Sequence, residues 1–435
     1  MSEHSIPVTV LSGTLGAGKT TMLNHVLREA GERDLAVLVN DMGSVNVDAD
    51  LVAEQSDISA EEEEELVELS NGCICCELRG DLLDAVSRLT REREFDALIV
   101  ESTGVAEPLP VAQTLTLGFD QTDLDPTEFY EETGIEPLEG CHLDTTVTVV
   151  DAHQFRDAME STDVLEDGDT DKPLGDLLIE QIEFCDVLVL NKCDLVDEEA
   201  LEHIEETLAV LQPRATVVRA EHGRIDPELI LETGQFDFEA ASQSAGWKQE
   251  LREPHASAEE EHGVTSFVFE ARRPFHPERF ADVLDSFPDA VVRAKGHFWL
   301  AGREEEALTL NVAGQSVRVG YGGDWFATLP PEELDEQFEA FPELEELWDE
   351  EWGDRGTQLV CIGVEMDHEE VRTALEACVL TDEEMAADWE TYEDRFPTFE
   401  MLEEGDEDET DSAESEHDHG HDHDHTVEAE VGLGD

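Results

Sequence analysis

The stretch GTLGAGKT, residues 13–20, joins three glycines to a lysine and a threonine at a spacing suited to phosphate chemistry. Gly13, Gly16 and Gly18 free the backbone to turn so that successive N–H groups surround an anion at a helix N-terminus, and Ala17 and Thr21 add backbone amides to the same cradle. Lys19 is expected to neutralise the β- and γ-phosphates, and the Thr20 hydroxyl to ligate Mg2+. A second stretch, NKCD at 191–194, closes an apolar run. Its carboxylate, Asp194, matches the two donors on the N1 and N2 edge of guanine, Asn191 supports the loop, and Lys192 lays its stem along the base. Adenine lacks that donor pair and would leave the carboxylate unpaired, so the nucleotide reads as GTP rather than ATP.

A third stretch, NGCICCELRG at 71–80, sets Cys73, Cys75 and Cys76 within four positions of a chain holding eight cysteines. Thiolates favour soft ions such as Zn2+ or Cu(I). Three sulfurs leave a tetrahedral ion one open position, which suits a site that loads and unloads. A helix expected over 77–90 would present its N-terminus to the thiols and lower their pKa values. Core burial accounts for lone thiols such as Cys185 and Cys361 but poorly for three in four residues. A redox pair is the other alternative, without a thioredoxin-like C-x-x-C context to support it.

Carboxylates complete the inventory. LIVESTG (98–104) is an apolar strand ending in Glu101, which can hold Mg2+ through water, while the Gly104 N–H can sense a γ-phosphate. In VNDMGSVNVDADL (39–51), Asp41 and Asp48 are candidates for Mg2+ or for positioning the attacking water. The run HDHGHDHDH carries His417, His419, His421, His423 and His425 at period two, so an extended chain presents all five on one side as a weak metal buffer.

These residues need a scaffold that brings strand ends together. The runs at 7–12, 35–41, 95–102, 145–152, 186–192 and 215–220 are short, apolar and β-branched, as buried parallel strands are. Helical stretches alternate with them, and in 198–211 Leu201, Ile204, Leu208 and Leu211 share one face. The expected architecture is therefore α/β: a P-loop NTPase fold with a doubly wound, mainly parallel sheet over 1–222, interrupted by a polar insertion at 118–144. An acidic linker is expected over 223–263 and a smaller α+β domain over 264–380, with helices at 277–287 and 368–378. The acidic, His-rich tail over 381–435 is expected to be mostly disordered.

Composition narrows the setting. The chain carries 111 acidic against 25 basic residues, a formal net charge of −86. Such a surface repels itself in dilute buffer and suits a high-salt interior, where the Debye length falls to roughly 3 Å at 1 M. It offers no basic patch for nucleic acid or an anionic membrane. No apolar run of spanning length is present, so a cytoplasmic protein of a halophile is expected.

Taken in order, GTLGAGKT, NGCICCELRGDLL, DALIVESTGVAEPLPVAQT, TVVDA and NKCDLV resemble the CobW-like P-loop GTPases, relatives of the urease and hydrogenase accessory GTPases. RPFHPERF, RAKGHFWLA and CIGVEMDHEEVRTALEACVLT are similar to that family's second domain. The resemblance covers about 330 residues. It implies hydrolysis of GTP to GDP and phosphate coupled to handling of a transition metal, zinc or cobalt, for a client apo-metalloprotein. Carried over by position, Gly16, Gly18, Lys19 and Thr20 bind phosphate and Mg2+, Glu101 and Gly104 form the second phosphate-side motif, and Asn191, Lys192 and Asp194 read guanine. Cys73, Cys75 and Cys76 bind zinc. One segment departs: where the family commonly reads N-E-x-G-E, this chain has NDMGS, so Asp41 keeps the first acid and Ser44 loses the second. Lys19, Asp41 and Glu101 are the expected catalytic set. A cobalt-handling helper of cobalamin biosynthesis and a non-enzymatic metal buffer are the rival readings. Oligomeric state is not legible.

Overall fold

Apolar, β-branched runs with no polar face must be covered on both sides, and in the computed structural model they form a parallel sheet, except that the run expected as a buried strand over 215–220 lies at its edge, where Thr216–Arg219 has one neighbour and is partly exposed. The structure describes residues 5–31, 33–40, 66–69, 86, 89–90, 95–102, 104, 112, 115, 140–161, 173–237, 240–241, 248, 264–288, 290–340, 344, 348–364, 366–399 and 428–430. The chain divides into two compact units near Thr265 and Ser266.

The first unit runs β1 (Ile6–Ser12), α1 (Lys19–Glu29), β2 (Leu35–Asn40), β3 (Leu66–Leu69), β4 (Ala97–Glu101), β5 (Cys141–Asp151), α2 (Phe155–Met159), α3 (Leu174–Glu183), β6 (Val187–Asn191), α4 (Glu198–Leu211) and β7 (Thr216–Arg219). Its seven strands lie in the order β3-β2-β4-β1-β5-β6-β7, and neighbours pair in parallel. Every residue of β4 and β6 is buried. Because the strands are parallel, Ser12, Asn40, Leu69, Glu101, Asp151 and Asn191 all end at one edge, where such folds bind ligands. The four-residue β3 is absent from the expectations. It follows an acidic run, Glu61–Glu65, and is too short for a pattern of its own.

Two expected boundaries are corrected. The polar insertion over 118–144 ends early, since β5 starts at Cys141. Asp144, 3 % exposed, made this segment look like loop. Its carboxylate accepts the Thr233 and Gly234 amides at 2.7 and 2.8 Å and the Thr145 hydroxyl at 2.8 Å. Burial works to raise its pKa, yet hydrogen bonds from His142, Thr145 and those amides hold it below the ordinary value. The same contacts overturn the linker expected from 223. Residues 223–237 belong to the first unit: Ile230 and Leu231 are buried, and the Phe236 ring meets Phe184 edge-on at 6.4 Å.

The second unit holds β8 (Val264–Ala271), α5 (Pro277–Leu284), β9 (Val291–Phe298), β10 (Glu306–Ala313), β11 (Ser316–Asp324), α6 (Pro331–Ala340), β12 (Thr357–Val364), α7 (His368–Cys378), α8 (Asp382–Met385) and β13 (Glu428–Glu430). Its antiparallel sheet has the order β13-β11-β10-β9-β12-β8. Phe275, Phe298 and Phe396 pack around the Phe280 ring at 4.5, 4.9 and 5.9 Å.

Phe396 belongs to the stretch expected as tail, so a further correction follows. Residues 381–399 are part of the fold, held by arginines. Arg279 makes a bidentate pair with Glu384 at 2.8 and 2.9 Å, and Arg303 bonds Asp394 and the Pro397 carbonyl at 2.7 Å each. Thr381 and Glu384 form a capping box. Acid-rich composition hid this, because the acids face partners far away in sequence. Of the rest of the expected tail, Glu428–Glu430 pairs antiparallel with β11, and residues 400–427 and 431–435 lie outside the described residues.

Arg279, with the Thr381 amide, lowers the Glu384 carboxyl to about 2 from its ordinary 4.5. A depressed carboxylate contributes its stability above the ordinary value and loses it as pH falls through the folded one. The Tm difference between wild type and Glu384→Gln is therefore expected to be full above about pH 5 and to close toward pH 2. A difference unchanged over that range would contradict the pair's role.

Candidate nucleotide and metal site

The turn after β1 is the candidate phosphate cradle. Gly18, at φ +104°, precedes α1, and a side chain there would run into the Asn191 amide as well as strain the backbone. The Lys19 side chain is 7 % exposed, and its ammonium donates back to the Gly13 carbonyl at 2.7 Å and the Thr14 carbonyl at 3.4 Å. It is thus held across the loop on the side where phosphates would lie. Thr20 Oγ1 donates to Glu101 Oε1 at 3.2 Å, which joins the first turn of α1 to the end of β4. A hydroxyl and a buried carboxylate are both hard oxygen donors, so the pair fits Mg2+. Gly104 abuts the cradle: a Cβ there would stand 2.7 Å from the Leu15 backbone nitrogen.

The end of β6, where the residues expected to read guanine lie, is tied to the same loop. Asn191 Nδ2 donates to the Ala17 carbonyl at 2.9 Å, and its Oδ1 accepts the Gly223 N–H at 2.9 Å. Lys192 sits at φ +62° and pairs with Asp151 Oδ2 at 2.5 Å. Asp194 lies on a short 3-10 turn, Cys193–Leu195, with His222 Nε2 3.8 Å from its carboxylate.

The structure thus gathers Gly13, Gly16, Ala17, Gly18, Lys19, Thr20, Glu101 and Gly104 at the ends of β1 and β4, and Asn191, Lys192 and Asp194 at the end of β6. Sequence reasoning passed over Asp151, Gly223 and His222. For Asp151 a signal existed, a carboxylate ending an apolar strand, but acids are too common here for it to stand out. Asp41, Asp48, Cys73, Cys75, Cys76 and His417, His419, His421, His423 and His425 lie outside the described residues, as does the expected helix 77–90 apart from Val86, Leu89 and Thr90. Among the described residues no cluster of three or more His, Cys, Asp or Glu side chains could hold a metal ion. The described thiols are poor ligands. Burial pushes Cys141 and Cys361 up to about 12 and Cys185 well above its ordinary value. No helix among them is long and apolar enough to cross a membrane.

A phosphate loop after the first strand of a parallel sheet, an acid at the end of the adjacent strand and an Asn-Lys-x-Asp turn at a third strand end define a P-loop NTPase domain of the guanine-reading kind. Residues 7–219 match the CobW/HypB/UreG nucleotide-binding domain, and residues 264–379 the cobalamin synthesis protein cobW C-terminal domain. Zinc-regulated GTPase metalloprotein activator 1 of Dictyostelium discoideum is 38 % identical over 421 residues, covering 92 % of this chain and 86 % of that protein. Zinc chaperone CobW of a Sinorhizobium species is 30 % identical over 397 residues, covering 87 % and 98 %. Zinc chaperone YjiA of Escherichia coli strain K12 is 28 % identical over 382 residues, covering 85 % and 98 %. The chain belongs to the CobW family of P-loop GTPases.

Proposed function

We propose that this chain is a cytoplasmic zinc chaperone that binds Zn2+ through Cys73, Cys75 and Cys76 and releases it to a client apo-metalloprotein under the control of GTP hydrolysis. One observation carries the coupling. β3 ends at Leu69, in register with Asn40 at the end of β2, and the chain reaches Cys73 four residues later. β3 therefore ends, four residues before Cys73 in sequence, at the sheet edge that also carries the phosphate loop. Three strand steps separate β3 from β1, a lateral distance of about 14 Å at the usual strand spacing. β2, which leads into Asp41, and β4, which ends in Glu101, lie between. The names of the relatives support zinc as the cargo.

In this reading GTP draws the segments after β2 and β4 toward its γ-phosphate, as switch segments do. Lys19 neutralises the β- and γ-phosphates, the Gly104 N–H meets the γ-phosphate, and Asp41 orients the attacking water. Thr20 and Glu101 would hold Mg2+, which would supply charge neutralisation to the phosphates. With those segments ordered, the neighbouring thiolates converge on Zn2+. Hydrolysis relaxes them, and the open coordination position lets a client ligand take over. His417, His419, His421, His423 and His425 act as a weak reservoir.

Competition of Zn2+ against a chromophoric chelator tests the ligand assignment. Changing Cys73→Ser, Cys75→Ser and Cys76→Ser together should weaken the tightest zinc equivalent by about 100-fold or more, leaving the weak histidine-run binding in place. Undiminished tight binding would refute the thiol site.

A further inference from the structure

We propose that Asp151 is a positioning residue for guanine recognition, holding the Lys192 ammonium away from Asp194 so that the reading carboxylate stays open for the base. The inference rests on the GTP reading above and assigns a role to a residue outside its expected machinery.

Asp151 is the last residue of β5 and stands in register with Asn191, the last of β6. It is 5 % exposed. Its two oxygens have separate tasks. Oδ1 accepts the His153 and Gln154 amides at 3.0 and 3.3 Å and so caps the turn after the strand. Oδ2 takes the Lys192 ammonium at 2.5 Å. The cap alone would be met by asparagine. The charge is needed only for the lysine.

That lysine has an alternative partner. Asp194 is two residues on, and a flexible four-carbon stem brings an ammonium within reach of it. With 111 acidic against 25 basic residues, each cation has several carboxylates competing for it. A Lys192–Asp194 pair would occupy the oxygens that guanine N1–H and N2–H2 require, and would lift the stem off the plane where the base lies. The buried Asp151 prevents both, since a charge pair with one partner this buried is screened less than one in solvent. It also helps fix Lys192 in the left-handed region at φ +62°, uncommon for a residue with a side chain.

The test compares wild type, Asp151→Asn and the double variant Asp151→Asn/Lys192→Met for binding of GTP, ITP and ATP, by displacement of a fluorescent guanine nucleotide. Asparagine keeps the turn cap and removes the charge, and methionine keeps an apolar stem and removes the ammonium. ITP lacks the N2 amino group, so the GTP-to-ITP ratio reads the Asp194 contact itself. The single variant should lose about 10-fold in GTP affinity with a shrunken GTP-to-ITP ratio. The double variant should recover the ratio, an outcome that a purely structural role for Asp151 does not produce. A single variant with the wild-type ratio, or a double variant no better than the single, would overturn the proposal. A wild-type protein that fails to prefer GTP over ATP would instead overturn the GTP reading, and the proposal with it.

Discussion

Replacing Asp194 with asparagine should invert the base preference, with GTP affinity falling by on the order of 100-fold or more and XTP becoming the preferred nucleotide. The carboxylate offers two acceptor oxygens and no donor, which pairs with guanine's N1–H and N2 amino group. Asparagine turns one acceptor into a donor. Guanine then meets a donor opposite its own donor, while xanthine, with a carbonyl at C2, meets a partner. Asp194 sits on the Cys193–Leu195 turn, and that turn is held on both sides: Cys193 N–H donates to the Ala220 carbonyl at 3.2 Å beside Asn191, which bridges Ala17 and Gly223, and Leu195 N–H donates to the Lys192 carbonyl at 3.0 Å. The variant therefore changes the chemistry of the edge with little freedom to move out of the way. Equilibrium binding of GTP and XTP to both proteins reads the result. Retained GTP preference in Asp194→Asn would mean the base is read elsewhere.

Lys19→Ala should lower kcat/KM for GTP by about 10²–10³-fold, the range observed when one preorganised donor to developing charge is removed. Lys19 is almost wholly buried and already bonded to the Gly13 and Thr14 carbonyls, so its charge need not be reorganised when phosphate arrives. The alanine variant leaves the phosphates with backbone amides and the α1 N-terminus, partial charges in place of a full one. Single-turnover release of inorganic phosphate measures the loss. A variant within tenfold of wild type would show that Lys19 does not bear on hydrolysis.

How much of this was legible in sequence depended on whether the information was local. The phosphate loop, Glu101 and the Asn-Lys-x-Asp turn stand at the ends of strongly apolar runs, and those runs became β1, β4 and β6. The helix expected over 277–287 forms over Pro277–Leu284, and the one expected over 368–378 forms over His368–Cys378. What escaped was long-range pairing of acids. Asp144 looked like loop because its amide partners lie about ninety residues away, and Glu384 looked like tail because Arg279 is 105 residues away. In a chain this acidic, a carboxylate no longer marks a solvated segment. Asp151 was overlooked for the same reason, although its strand-end position matched that of Glu101.

Nucleotide control of zinc binding is read out by Zn2+ affinity measured on one preparation with a non-hydrolysable GTP analogue and with GDP, at equal free Mg2+ and high ionic strength. The analogue should tighten Zn2+ binding by about tenfold or more, with Zn2+ tightening the analogue by the same factor. Equal zinc affinities in the two nucleotide states would contradict it, because a nucleotide without differential affinity shifts nothing.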